Sequence, residues 1–548
     1  MEKKQLTLVV VSLLVVVLSV SVAYFTAQII GEGKNVSVTS ANLQIVFEDT
    51  DGSIANSSIE PGWTSTKTFT VTNNSKSEYK YNIVLKDLVN TFVTNGYLQY
   101  KITSTNSGYN MTEFKNIPKS DSTRDEVLAY NISIPMNISQ EYTITFQYLN
   151  DEDIDQSDDM GMKLSGSLFI TEGTTPPPTL YEQLLADKTE RPGARTDFST
   201  VLTEDNTKTL YTSTENDNTV YYFAGNATDN WAKFGTYPSD LVRGYGTSRF
   251  GSEYADYNSI EECEIGTYMS VSKSYDLNQN CTYLHHSGDP IYWRIIRTNA
   301  DGGIRLLYHG TSHDSTEAYI GTTSFNSTSG DSMYVGYMYG TSGTLESNRT
   351  NENNSTIKLK IDSWYESNLK TNYGKYLSET AVYCNDREVS EGTYSTNGSI
   401  FYYKGYTRLI TNKTPTYDCT NTRDAFSVNN TSAKLDYPIG LMTADEVALA
   451  GGLYVNDAPA YYYRNSSATS ISSTSSKYWW TLTPSRWNGT GSKGYVIGGS
   501  ENIGWISGDY VNIFHAVRPV ISLKSCVKWS TGDGTPESSY EIIYDDAC

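Results

Sequence analysis

The apolar run from Leu6 to Ala23 follows Lys3 and Lys4 and precedes continuous polarity, and it decides where the rest of the chain folds. A basic pair before such a run marks an export signal or a signal anchor, and about 18 residues is near the minimum for crossing a bilayer as a helix. Ser21-Val22-Ala23 puts small residues where a signal peptidase reads, so cleavage before Tyr24 and retention of the helix both stay open. In either case Lys3 and Lys4 stay inside and everything after residue 27 lies outside. Residues 1–27 are therefore expected to be a signal peptide or an N-terminal transmembrane anchor. The expected location is the cell surface, with residues 6–23 holding the protein in the plasma membrane if they are retained.

Export predicts oxidised cysteines. Cys263, Cys281, Cys384, Cys419, Cys526 and Cys548 are even in number and contain no CxxC pair, which points to disulfides rather than to zinc or a redox motif. Their pairing is not fixed by sequence; sequential pairing is expected, because each bond then closes a short local loop. Lys plus Arg number 41 against 62 Asp plus Glu. That balance excludes nucleic acid as a partner, since affinity for phosphates comes from basic side chains.

Residues 28–172 hold no Cys, no His and a single Trp. They alternate with period two over Val36–Ser40, Leu43–Phe47, Thr66–Thr72, Tyr79–Leu85, Leu98–Thr103, Leu128–Ile134, Tyr142–Tyr148 and Met162–Ile170. With turn residues between the segments, this predicts an antiparallel β-sandwich. The acidic stretch Asp151-Glu152-Asp153-Ile154-Asp155, with Asp158 and Asp159, reads as a solvated loop. A calcium loop starting at Asp151 would want Gly and Glu where Gln156 and Met162 stand. Thr174-Thr175-Pro176-Pro177-Pro178-Thr179 is a stiff spacer, and Tyr181–Asp187 suits a short helix, so residues 173–204 are expected as a linker. Eight of nine Trp, and all Cys and His, lie beyond residue 230. Residues 205–548 are accordingly a different kind of domain. Strands are expected at Thr219–Phe223, Ile291–Arg297, Ile304–Tyr308, Tyr478–Leu482, Gly494–Ile497 and Val517–Leu523. Helices are expected at 355–371 and after the Thr443–Glu446 capping box. The fold class is thus multidomain and β-rich: an N-terminal helix, an antiparallel β-sandwich, then an α+β domain.

Two resemblances sharpen these expectations. Ala23-Tyr24-Phe25-Thr26-Ala27, Leu43-Gln44-Ile45-Val46-Phe47, Pro61-Gly62 and Phe69-Thr70-Val71-Thr72-Asn73 resemble the TasA/camelysin family of exported Gram-positive proteins. That resemblance implies a sandwich domain able to self-assemble into fibres. Tyr437–Val447, Trp479–Ser485 and Val517–Val520 resemble, in that order, blocks of gut Firmicutes surface proteins, as do Asp362–Tyr365 and Cys384–Arg387. Their order is similar to C-type-lectin-like domains of the formylglycine-generating-enzyme type, which implies a lectin-like fold but no activity.

The candidate ligand-binding residues are Tyr478, Trp479, Trp480, Trp487 and Trp505, with Tyr461–Tyr463 beside them. Trp479 and Trp480 should point to opposite faces of a strand, one into the core and one toward a sugar or a protein partner. His309 and His313 read as surface-loop residues, His285-His286 as solvated, and His515 as a structural hydrogen-bonding residue. Glu446 is expected to complete its helix cap and Arg518 to satisfy nearby carbonyls or a carboxylate. Cys384 and Cys419 are expected as a disulfide rather than a reactive copper-binding pair. The pair Asp445-Glu446 supplies the two carboxylates a glycosidase needs, which is thin evidence among 62 acids. No catalytic residue, metal site or cofactor is expected. The leading reading is a non-catalytic bacterial surface protein. It would present a lectin-like ligand-binding or adhesion domain to a glycan or a host or bacterial surface protein, on a β-sandwich stalk. A filament or biofilm-matrix subunit, and a secreted hydrolase or oxidase, are the alternatives.

Overall fold

The computed structural model describes residues 25–30, 36–40, 43–49 and 54–548, apart from 76, 95, 152–153, 201, 203–205, 249–250, 270–274, 278–279, 316–317, 455–477, 499–503 and 545–547. The expected helix over Leu6–Ala23 and the aromatics Tyr461–Tyr463 fall outside the described residues. Among the described residues no helix is long and apolar enough to cross a membrane. The protein is β-rich, with several antiparallel sheets and more than one domain. It divides into one unit spanning Met1–Pro177 with Tyr544–Cys548, and a second spanning Pro178–Ile543.

Alternation of side chains builds the first unit. Its strands are β1 (Phe25–Ile30), β2 (Val36–Ser40), β3 (Leu43–Asp49), β4 (Ile54–Ile59), β5 (Thr64–Asn73), β6 (Tyr79–Asn90), β7 (Leu98–Ser104), β8 (Lys115–Asn116), β9 (Ser120–Ile134), β10 (Ile138–Tyr148) and β11 (Lys163–Glu172). They form two sheets, ordered β4-β1-β11-β6-β9 and β2-β3-β5-β10-β7-β8. In β5, β7, β10 and β11 every second residue is buried, as a sheet with one covered face requires. Phe69 and Val71 of β5, Ile144 and Phe146 of β10, Ile83 and Leu85 of β6 and Leu168 and Ile170 of β11 join one core cluster. One pairing departs from the expected antiparallel pattern. β1 runs parallel to β11, from Thr26↔Lys163 to Ile30↔Ser167, while pairing antiparallel with β4.

The acidic loop is anchored rather than wholly solvated. Asp158 is exposed, but Asp159 is fully buried and accepts hydrogen bonds from the backbone N–H of Val93 and Thr94 and from the Tyr148 hydroxyl. This carboxylate satisfies donors that the ends of β6 and β10 leave behind.

In the second unit, helix Leu180–Asp187 begins at a Thr179–Glu182 capping box. The described residues from 180 to 200 are not a free linker: Leu180 N–H donates to the Val527 carbonyl, and buried Lys188 pairs with Asp229 at 2.9 Å. The domain therefore starts at Pro178 rather than at 205. Its central sheet holds the hairpin Pro290–Thr298 and Ile304–Gly310, with Pro519–Leu523 inserted between Ile304–Gly310 and Ile439–Leu441. A second sheet surrounds Tyr478–Trp487, which pairs with Ser492–Gly498, Phe401–Tyr403 and Phe514–Ala516. Helix Thr356–Asn368 is capped by Ser355 and buries Ile357, Ile361 and Tyr365, four residues apart along one face. Cys263 bonds Cys281 and Cys384 bonds Cys419, as sequential pairing predicts. Cys526 and Cys548 are disulfide-bonded as well, so no cysteine is free.

Asp159→Ala should destabilise the first unit by about 2–4 kcal/mol, because it strands buried donors without an acceptor. Scanning calorimetry of the full chain should show the transition of that unit moving down while the transition of the second unit stays.

Candidate ligand groove

A concavity of about 420 Å³ lies within the second unit. Its outer wall is strand Asn280–His285, which supplies Tyr283, Leu284 and His285. The Cys263–Cys281 disulfide ties this strand to helix Ile260–Ile265. The adjoining strand Leu241–Ser248 supplies Arg243, whose guanidinium grips Asp256 through Nε–Oδ1 at 2.6 Å and Nη2–Oδ2 at 3.0 Å. Such a two-pronged bond fixes the side chain's plane as well as its charge.

The inner wall is aromatic. Tyr237 stacks flat on His285, with ring centres 3.6 Å apart, and its hydroxyl meets the Tyr308 hydroxyl at 2.5 Å. The Tyr308 ring packs edge-on against Trp364 at 5.3 Å. Trp364 is half-buried and reaches the groove from helix Thr356–Asn368, while Tyr283 stands 43% exposed at the rim. Burial pushes the Tyr237 hydroxyl well above its ordinary range and pulls His285 down to about 4, so both are neutral at pH 7. The accessible rings are those of Tyr283 and Trp364, and the lining also carries the paired Arg243 and the exposed carboxylate of Asp314.

The aromatic residues expected to bind a ligand lie elsewhere. Trp479, Trp480 and Trp487 are only 2%, 0% and 1% exposed, which corrects the expectation that they offer stacking faces. Strand Tyr478–Trp487 is covered on both sides, so alternation does not bring either Trp479 or Trp480 to the surface. Trp480 donates its indole N–H to the Thr323 carbonyl, and Arg518 lies over Trp479. Tyr478 and Trp505 are half-buried, 6.3 Å apart, and form no wall of the groove.

Among the histidines, His309 is not on a surface loop but fully buried in strand Ile304–Gly310, edge-on to Trp231. Its burial and the nearby Arg518 and Arg294 keep it neutral. His285 is likewise buried rather than solvated, whereas His286 is exposed beside Asp240. His515 bonds Asp509 at 2.9 Å.

Asp445 and Glu446 belong to a buried ion network. Glu446 closes the Thr443 capping box and also meets Arg297 at 3.1 Å and Arg305 at 2.7 Å. Arg297 continues to Glu215. Asp445 takes Arg408 in a two-pronged bond, and Arg408 also reaches Asp386. The cavity among them is about 20 Å³, room for roughly one water and none for a sugar. These carboxylates hold the fold. Arg518 donates to the Tyr308 carbonyl, as expected.

The groove was missed in the sequence for an identifiable reason. Trp364 sits at helical spacing with core residues, and Tyr237, Tyr283 and Tyr308 are three of 45 tyrosines. The one available signal was the cysteine at position 281, two residues before Tyr283.

No family model matches the chain, and no curated protein matches it. One solved structure, described as "AvmM Catalyzes Macrocyclization in Alchivemycin A Biosynthesis", is similar at 11% identity over 27% of this chain and 100% of that chain. Its TM-score is 0.16, which carries no argument.

Two outcomes follow from this geometry. Glu446→Ala takes the carboxylate from buried Arg305 and one of two carboxylates from buried Arg297, and should cost about 3–5 kcal/mol. Urea unfolding followed by tryptophan emission reads this directly, since eight of nine Trp lie beyond residue 230. The second outcome concerns pH. The unfolded chain protonates His285 near 6.5 but the folded one only near 4, so the unfolded state gains protons first as pH falls through that window. Stability should therefore drop between pH 6.5 and 4, and His285→Phe, which keeps the stack on Tyr237, should flatten that slope in unfolding midpoints measured against pH.

Proposed function

We propose that this is a non-catalytic bacterial cell-surface protein. In this reading the second unit is a lectin-like adhesion domain and the first unit is its β-sandwich stalk. The groove carries the proposal. A volume of about 420 Å³ suits a small ligand or a few sugar rings, and its lining combines ring faces for stacking with hydroxyls for hydrogen bonding. A glycan, with apolar ring faces edged by hydroxyls, matches that lining better than an apolar or strongly charged ligand.

Two further observations support a surface role. The disulfides suit an oxidising, extracellular compartment. The parallel pairing of β1 with β11 brings the chain into the first unit at one end and out at the other, as a stalk requires. Over the ten residues of β11 that separation is about 33 Å.

A glycan array probed with the full chain should show a defined set of bound sugars. Trp364→Ala combined with Tyr283→Ala should weaken that binding at least tenfold, whereas Trp505→Ala, outside the groove, should leave it unchanged. Equal binding by the double variant and the parent would remove the groove from the function.

A further inference from the structure

The start of β1 lies at a particular end of the first unit. Phe25 pairs with Ile59, and Thr26 with Lys163. Ile59 leads into the turn Glu60-Pro61-Gly62-Trp63, where Gly62 has a φ of 87° and donates its N–H to the Tyr148 carbonyl. The same end holds the last residues of β6 and β10 and the loop before β11. Asp159 ties these together by accepting from Val93, Thr94 and Tyr148, and Gln156 donates to the Leu149 carbonyl.

This end carries four exposed apolar side chains beside its acidic loop. Val93, Leu149, Ile154 and Met160 are 44%, 38%, 46% and 55% exposed. At the opposite end, among the described residues, the exposed large apolar side chains are Met136 and Ile138. Behind the four sit Trp63 and Tyr97, half-buried against the core. Tyr97 donates its hydroxyl to Asp151, and Trp63 accepts the Tyr148 N–H through its carbonyl. Apolar tips ringed by a Trp and a Tyr are the composition that settles at a membrane–water interface. The residues immediately before Phe25 are the apolar run Leu6–Ala23, so the chain reaches this end directly from its most membrane-compatible segment.

We infer that this end of the first unit rests on a lipid bilayer, with Val93, Leu149, Ile154 and Met160 dipping between headgroups and Trp63 and Tyr97 at the level of the headgroups. The inference rests on the surface-anchored reading above and adds the orientation of the stalk. The carboxylates of Asp155 and Asp158 at this end are exposed and stay hydrated. They would be repelled by anionic lipid, so the contact is apolar and favours zwitterionic headgroups.

The test uses the full chain in phosphatidylcholine vesicles, with or without bromine on the acyl chains. The Trp63 signal is the emission of the parent minus that of Trp63→Phe. It should fall about twofold in brominated vesicles. The variant Val93→Ser/Leu149→Ser/Ile154→Ser/Met160→Ser, with an unchanged unfolding midpoint, should lose that quenching. Flotation of the same samples separates the two readings. Protein that floats with vesicles but shows no Trp63 quenching overturns the bilayer contact alone, whereas protein that fails to float overturns the anchored reading as well. Absent quenching with a change of oligomeric state in the fourfold variant would assign the apolar end to contacts between copies and overturn the inference.

Discussion

Glu446 is the group on which the second unit depends. A buried carboxylate is costly unless every oxygen is engaged, and this one is shared between a helix start and two strands. It closes the cap at Thr443 and meets Arg297 and Arg305 across the central hairpin. Arg387 and Arg349 do the same with Asp424, a fully buried carboxylate, and Asn385 bonds the carbonyls of Val335 and Leu482. Between Ser324 and Ile439 regular structure is sparse, so these charged and amide side chains replace ladder hydrogen bonds as the means of fixing loops. Such contacts tolerate little displacement and favour a single arrangement.

In the reading proposed above, that rigidity serves the groove. Trp364 and Tyr308 stand on the helix and hairpin that the ion network and core hold in place. Tyr283 and His285 stand on a wall closed by the Cys263–Cys281 bond. Rings held in advance lose little freedom when a ligand stacks on them, so more of the contact energy appears as affinity.

How much of this was legible in the sequence differs between the units. All eight strands expected in the first unit are present, and in β5, β7, β10 and β11 one wet face and one dry face make period two visible. β1 was hidden by its continuity with the apolar run, and β4 by its polar composition. In the second unit Tyr478–Trp487 and Ile304–Gly310 were placed, but the roles of their residues were not. A strand covered on both faces carries no alternation to read, so one of Trp479 and Trp480 was expected at the surface and His309 on a loop, whereas all three are core. Asp159 looked like one more solvated acid because two of the donors it satisfies, the N–H groups of Val93 and Thr94, lie about 65 residues away. Glu446 was recognised as a cap, while its arginine partners, about 150 residues distant, leave no local trace. The groove belongs to the same class, since its residues come from five separate segments.

The parallel pairing of β1 and β11 also has a mechanical side. A tether pulled at the start of β1 and a load applied beyond the end of β11 tug these neighbours in opposite directions along their length. The interstrand hydrogen bonds over Thr26–Ile30 and Lys163–Ser167 are then strained together rather than unzipped one at a time. A chain that entered and left through an antiparallel pair would open from one end under much lower force. The strand order therefore resists a pull along that line.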